Sequence, residues 1–202
     1  MTARTILIDQ LPDTLRWGIG FNNATSHSER LDYLEKALDN SYDLLTDARK
    51  EFAPHSEDAL TRSLMVGLNM AGITANHDPQ LGGHVDLVVE GKGGFRWIGE
   101  AKIYNGPAYI FGGYKQLTTR YGVAAPGRDT GEIIIYCKQS RATERLDDWK
   151  AHLVENGEDV SVTVQRTEEK PFEFRTENSC KATGLRFRTR HRIVPLYHNP
   201  EK

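Results

Sequence analysis

Two apolar runs, HVDLVVEG and FRWIGEAKIY, stand back to back across the turn formers Gly93 and Gly94. Each is short for a helix, and each sets apolar residues at adjacent positions, Val88-Val89 in the first and Trp97-Ile98 in the second. Neighbouring side chains of a strand point to opposite faces, so both faces of these strands have to be covered. The chain must therefore build a sheet with helices on either side, and the flanking sequence supplies them.

Upstream, Leu31, Leu34, Leu38, Tyr42, Leu45 and Ala48 recur at three-four spacing, which predicts a long amphipathic helix. Ser26 with Glu29 three residues later predicts a capping box at its start. Pro54 interrupts, and a second helix is expected over residues 56–71 with Leu60, Leu64 and Leu68 inward. Residues 73–77 suit a first strand, followed by a turn at Asp78-Pro79 and Gly82-Gly83. Downstream, Asn105-Gly106-Pro107 predicts a helix start, with the proline in the first turn where its missing amide has no intrahelical acceptor; the helix runs to about Tyr121. EIIIYCKQ is a buried strand, and residues 143–153 form a helix with Leu146, Trp149 and Leu153 inward. The remainder alternates with period two through Val160, Val162 and Val164, then FEFRT, then GLRFRTRHRIVP.

Charge narrows the partners. Lysine and arginine number 26 against 28 acids, a net of −2, so no overall field draws the chain to nucleic acid or to an anionic membrane. An anionic ligand has to be held locally. The balance is uneven, with net +5 over residues 179–202 and −7 over the rest. Arg186, Arg188, Arg190 and Arg192 share one strand face, a row of like charges that calls for phosphates or for neighbouring acids. Cys137 and Cys180 are too few for a disulfide framework and lack zinc-site spacing. No stretch approaches the roughly 18 apolar residues of a membrane span, and the opening residues lack a secretory cleavage signal. The expectation is one domain over residues 1–202, cytoplasmic, with no membrane partner.

Chemistry concentrates on the two central strands. Asp86 lies on one, while Glu100 and Lys102 lie two residues apart on the next and so share a face. A hard divalent cation takes oxygen ligands; Asp86, Glu100 and the backbone carbonyl of Ala101 could hold Mg²⁺ or Mn²⁺. Lys102 beside such an ion could orient or deprotonate a water and stabilise charge developing on a phosphoryl centre. The plainer alternative is an ion pair of Lys102 with Glu100 or Asp86. Glu57 precedes Leu60, Leu64 and Leu68 by three, seven and eleven residues, which places a carboxylate on the inward side of its helix start, where it needs a partner or a metal.

The order of a helix with Glu57, three strands carrying Asp86 and Glu100-Ala101-Lys102, a helix with Gln116, and the strand at residues 133–136 resembles the PD-(D/E)XK nuclease superfamily, the restriction-endonuclease-like fold. The resemblance covers about residues 55–138, with residues 1–54 and 139–202 peripheral. It implies an α/β fold with an αβββαβ core, a mixed central sheet, an N-terminal helix and additional C-terminal strands. It also implies catalytic roles for Glu57, Asp86, Glu100, Lys102 and Gln116. Two departures stand out. Several members carry QxxxY on the second helix, whereas this chain has QLTTRY, with Arg120 four residues after Gln116 and Tyr121 one later. Gln116 and Arg120 then share a helix face, and Tyr121 is turned away by one step. A proline usual before the first aspartate is replaced by Val85.

These readings converge on a metal-dependent endonuclease hydrolysing DNA, with duplex DNA the favoured substrate and restriction, repair or antiphage defence as settings. Lys115, Gln116, Arg120 and the arginine row are the expected phosphate contacts, and Tyr104 and Tyr109 are candidates for stacking on a base. Near-neutral charge suits a homodimer or a partner-assisted complex that presents two weak basic surfaces together. Two alternatives remain at this level: an RNA-cleaving effector on the same core, and a noncatalytic binding or assembly protein, for which Asp86, Glu100 and Lys102 would be dispersed.

Overall fold

The computed structural model describes residues 11–77 and 83–200. The turn expected at Asp78-Pro79 and Gly82, and the first ten residues, lie outside the described residues. In chain order the helices are α1 (Asp13–Asn23), α2 (His27–Asp47), the single turn α3 (Arg49–Phe52), α4 (Glu57–Met70), α5 (Pro107–Gln116) and α6 (Ala142–Asn156). The strands are β1 (Ala75–Asn76), β2 (Leu87–Glu90), β3 (Arg96–Ile103), β4 (Thr130–Cys137), β5 (Ser161–Val164), β6 (Glu173–Ser179) and β7 (Arg186–Pro195). They form one sheet in the order β1-β2-β3-β4-β7-β6-β5. The pairs β3/β4 and β4/β7 are parallel and the other neighbours antiparallel, so the sheet is mixed. The succession α4-β1-β2-β3-α5-β4 is the expected αβββαβ core.

Helices cover both faces, as the doubly apolar strands require. On one face α2 and α4 bury Leu34, Leu38, Leu60, Leu64 and Leu68 against Leu87, Val89, Trp97 and Ile134. On the other, α5 and α6 bury Ile110, Tyr114, Leu146, Trp149 and Leu153 against Val88, Ile98, Ile133 and Ile193. Alternate residues of β2, β3 and β4 thus enter different cores. Burying each large aliphatic side chain contributes roughly 1.5–3 kcal/mol.

The helix starts follow their caps. Ser26 Oγ accepts the Glu29 amide at 3.1 Å, while the Glu29 carboxylate reaches back to the Thr25 amide at 2.8 Å, one residue earlier than a standard capping box. Ser56 Oγ accepts the Ala59 amide at 3.2 Å and so fixes where α4 begins. Helix α1 has no counterpart in the sequence reading, because Gly18 and Gly20 argue against a helix on propensity alone. Their cause is packing. A Cβ at Gly18 would collide with the Ala71 carbonyl oxygen, and one at Gly20 with the Tyr33 ring, so both glycines permit α1 to lie close against its neighbours.

The arginine row takes a different setting from the expected phosphate surface. β7 lies inside the sheet between β4 and β6, and the row faces α2. The Arg190 side chain is 2% exposed; its Nε donates to Glu173 Oε2 at 2.7 Å, and the guanidinium also pairs with Asp39. Arg192 is buried, with its guanidinium over the Tyr42 and Phe172 rings and Asp39 and Asp43 nearby. Arg186 and Arg188, at the exposed start of the strand, pair with Asp159 at 2.8 Å and Asp129 at 2.7 Å. Neighbouring acids offset the whole row, and burial withdraws Arg190 and Arg192 from any phosphate. Among the described residues no helix is long and apolar enough to cross a membrane.

Candidate active site

Register brings the strand residues together. Leu87 pairs with Gly99 across β2 and β3; carried back one residue, the same register sets Asp86 opposite Glu100, both on the face covered by α5. Asp86 Oδ2 accepts the Ala101 amide at 2.8 Å, which fixes the carboxylate against β3. From the opposite side of the sheet edge, the first residue of α4 reaches in: Glu57 Oε2 accepts the Ile103 amide at 2.7 Å. The partner that helical spacing demands for Glu57 is thus the backbone of the strand that carries the candidate triplet.

Lys102 closes the cluster. Its Nζ lies 2.6 Å from Glu100 Oε1, 2.8 Å from the Ala101 carbonyl oxygen, 3.5 Å from Asp86 Oδ2 and 3.6 Å from Glu57 Oε1. Three acids that are 14 to 43 residues apart along the chain meet around one ammonium. Burial pushes the Glu100 carboxyl up to about 7, with the Asp86 charge adding to the rise and Lys102 opposing it. Burial alone would lower the Lys102 pKa, but the charges of Glu100 and Asp86 outweigh it and hold the proton well above the usual lysine range.

Among the described residues no group of three or more His, Cys, Asp or Glu side chains is arranged to hold a metal ion. The carboxylates close on the ammonium instead. Their chemistry nonetheless suits a hard cation, since every donor is oxygen and one is unsatisfied: Glu100 Oε2 is buried without a hydrogen-bond partner. A buried orphan carboxylate oxygen is costly unless something completes it.

Helix α5 forms the roof. Gly113 sits directly over the site, and a Cβ there would lie 3.1 Å from Lys102 Cγ and 3.3 Å from Glu100 Cγ. Beside it an open depression is lined by Lys102, Ala108, Tyr109, Gly112, Gly113 and Gln116. Gln116 therefore shares a surface with Lys102. Lys115 lies on another side of α5, exposed, with its ammonium 5.0 Å from the Phe111 ring centroid, and Arg120 is exposed near the end of the following turn. Tyr104 is only 6% exposed and is a core residue, whereas Tyr109 is 47% exposed.

The unusual Gln-to-Tyr spacing has a structural resolution. After Gln116 the helix widens into a π turn, Leu117–Tyr121, in which the Gly122 amide bonds the Leu117 carbonyl five residues back at 2.9 Å. A π turn changes the helical phase at this point, and the Tyr121 ring packs against the core on the α5 side of the sheet. Its hydroxyl donates to the His84 carbonyl at 2.7 Å, two residues from Asp86. Burial raises the Tyr121 pKa, and the charge of Glu100 adds to it, which locates the phenol at the margin of the acidic cluster. The sequence reading gave Gly113 no place beside Lys102 and Glu100, and it turned Tyr121 away from Gln116 toward the core, against which the ring does pack. The five-residue spacing and the paired glycines within a helical run were the available signals.

The α/β architecture, with its mixed central sheet, is consistent with a PD-(D/E)XK-like fold and with an enzyme scaffold of nuclease type. No protein-family model matches the sequence, and comparison with curated proteins and with solved structures returned no significant match.

Proposed function

We propose that this chain is a divalent-metal-dependent endonuclease that hydrolyses phosphodiester bonds in DNA. The observation that carries the reading is the convergence of Glu57, Asp86 and Glu100 on Lys102, which itself lines an open depression beside α5. A noncatalytic scaffold has no need to gather these groups; here they meet, with Glu57 and Asp86 each 30% exposed and Glu100 buried beside them.

Asp86, Glu100 and the Ala101 carbonyl would hold Mg²⁺ or Mn²⁺, which lowers the pKa of a bound water and polarises the phosphodiester. Asp86 is held for that task by the Ala101 amide, and Glu100 offers its unpartnered oxygen. Lys102, kept protonated by the surrounding carboxylates, acts as a donor: it can bond a non-bridging phosphoryl oxygen or give its proton to the departing 3′ oxygen. Glu57, anchored through one oxygen by the Ile103 amide, turns its other oxygen toward the cluster and can orient a water there. Gln116 on the wall of the depression offers an amide to the sugar-phosphate backbone.

The test is cleavage by purified protein of a matched duplex, a single-stranded DNA and an RNA, with Mg²⁺, Mn²⁺ or EDTA. Asp86→Ala, Glu100→Ala and Lys102→Ala are each expected to lower the rate at least about a hundredfold with native circular dichroism retained. Undiminished cleavage in all three variants, or cleavage indifferent to EDTA, would refute the assignment.

A further inference from the structure

A cavity of about 200 Å³ opens on another flank of α5, between that helix, the end of α6 and the end of β6. No residue lines both this cavity and the depression beside Lys102. Roughly 150 Å³ is enough to hold a benzene ring, so a planar heterocycle has room here. Alternation along β6 decides what the wall presents, because Phe174, Thr176 and Asn178 share the face turned to α5 and α6. Phe174 and Thr176 close on His191, and Asn178, two residues further along, comes to the cavity.

Asn178 is 7% exposed and only half used. Its Oδ1 accepts the Tyr114 hydroxyl at 3.1 Å, and its Nδ2 donates to the Ser179 carbonyl at 3.2 Å. A carbonyl can only accept, so these two partners fix which end of the amide is which. A primary amide carries two donors and two acceptor sites, and one of each is left at the cavity wall. An unmet buried N–H is costly, which favours an occupant that supplies both complements. Two neighbours define the rest of that occupant. Phe111 offers a ring to the cavity, and the exposed Lys115 holds its ammonium 5.0 Å from the centroid of that ring, with no carboxylate partner among the described residues. Lys181, by contrast, is taken by Glu158 at 2.6 Å on the rim. One uncommitted cation suits one phosphate group, and the Glu158 carboxylate opposes a run of them.

We propose that this cavity binds a free adenine mononucleotide. Adenine presents an N6–H donor beside an N7 acceptor, the pattern that an asparagine amide meets with one acceptor and one donor, and these are what Asn178 has left. The base lies against Phe111, and the Lys115 ammonium turns from the ring to the phosphate. The site shares no residue with the Lys102 cluster and goes beyond the hydrolase reading, on which it does not depend.

The experiment is titration calorimetry of the full chain in EDTA with 5′-AMP, 5′-GMP, adenosine and a short oligo(dA) strand. AMP is expected to saturate one site per chain, with GMP about tenfold weaker or more, because its O6 accepts where the adenine N6 donates. Adenosine should bind about threefold to fivefold more weakly than AMP, and Lys115→Gln should remove that difference. Phe111→Leu and Asn178→Asp should each weaken AMP about tenfold, with native circular dichroism retained. The nucleotide comparison needs no variant, so it decides the matter even where a substitution disturbs folding. Absence of saturable AMP binding at millimolar concentration would mean that the cavity holds water alone and would overturn the proposal. So would AMP and GMP binding within twofold of each other, Asn178→Asp at wild-type affinity, or oligo(dA) binding more tightly than AMP. Cleavage plays no part in these readouts, so their failure leaves the hydrolase reading untouched, and loss of that reading leaves them in force.

Discussion

Replacing the buried Glu132 by glutamine should stabilise the protein at neutral pH, even though Glu132 faces an arginine. The residue is fully buried, and its surroundings serve the ionised form poorly. One oxygen accepts the Tyr42 hydroxyl at 2.8 Å. The other has no hydrogen-bond partner, and Arg190 Nη1, 3.7 Å away, has none either. Burial therefore dominates and lifts the carboxyl from 4.5 to about 7, against the pull of Arg190 and the Tyr42 bond. A carboxyl whose folded pKa is raised binds more protons folded than unfolded. Its contribution to stability is thus complete below pH 4.5 and is lost as pH rises to about 7. A shift of this size corresponds to about 3 kcal/mol, or about 6–12 °C in melting temperature for a chain of this length. Glutamine mimics the protonated state and cannot ionise. Urea unfolding of wild type and Glu132→Gln across pH 4–8 should show curves that nearly meet at the acid end and diverge by about 3 kcal/mol in favour of the variant toward pH 8. Parallel curves, or a wild type that gains on the variant as pH rises, would show Glu132 ionised and well compensated, and would refute the reasoning.

Two other expectations test the opposite face and the site roof. His191 is fully buried, with Nδ1 accepting the Trp149 indole N–H at 3.2 Å and Nε2 2.8 Å from Thr176 Oγ1. Because the indole can only donate, the ring is the Nε2–H tautomer, and burial lowers its pKa to about 3. Heteronuclear NMR should find that tautomer at pH 6 and no titration above about pH 4, whereas an imidazolium at pH 6 would contradict the packing. Gly113→Ala should cut the cleavage rate about tenfold or more by displacing Lys102 and Glu100, with melting within about 3 °C of wild type. Unchanged kinetics would mean that the site tolerates the displacement.

Local patterns carried much of this architecture. Ser56 and the Leu60-Leu64-Leu68 stripe placed α4 within a residue of its observed bounds and put Glu57 inward before any coordinates did so. Alternation located β7, and the parity of Glu100 and Lys102 fixed their common face. What alternation cannot encode is which strand lies alongside. Of the solvent, phosphate or acid partners open to the arginine row, acids are the ones found: β7 inserts next to β4 and buries Arg190 and Arg192 beside Asp39 and Glu173, while Arg186 and Arg188 stay exposed and paired with Asp159 and Asp129. α1 escaped notice for a related reason, since Gly18 and Gly20 answer to Ala71 and Tyr33, contacts 53 and 13 residues distant. The bond from Tyr121 to the His84 carbonyl was not legible, because a fixed 3.6-residue period does not foresee a π turn.

The position of β7 has a consequence for synthesis. Strand β7 is paired on both sides, with β4 and β6, and every residue of β4 is buried in the finished sheet. As the chain leaves the ribosome, β4 is complete some fifty residues before the strand that covers its flank emerges. Through that interval an Ile-Ile-Ile edge stands unpaired, open to β4 from another nascent chain. Closure of this flank therefore waits for β7, and chaperones that shield exposed strand edges would act in that window.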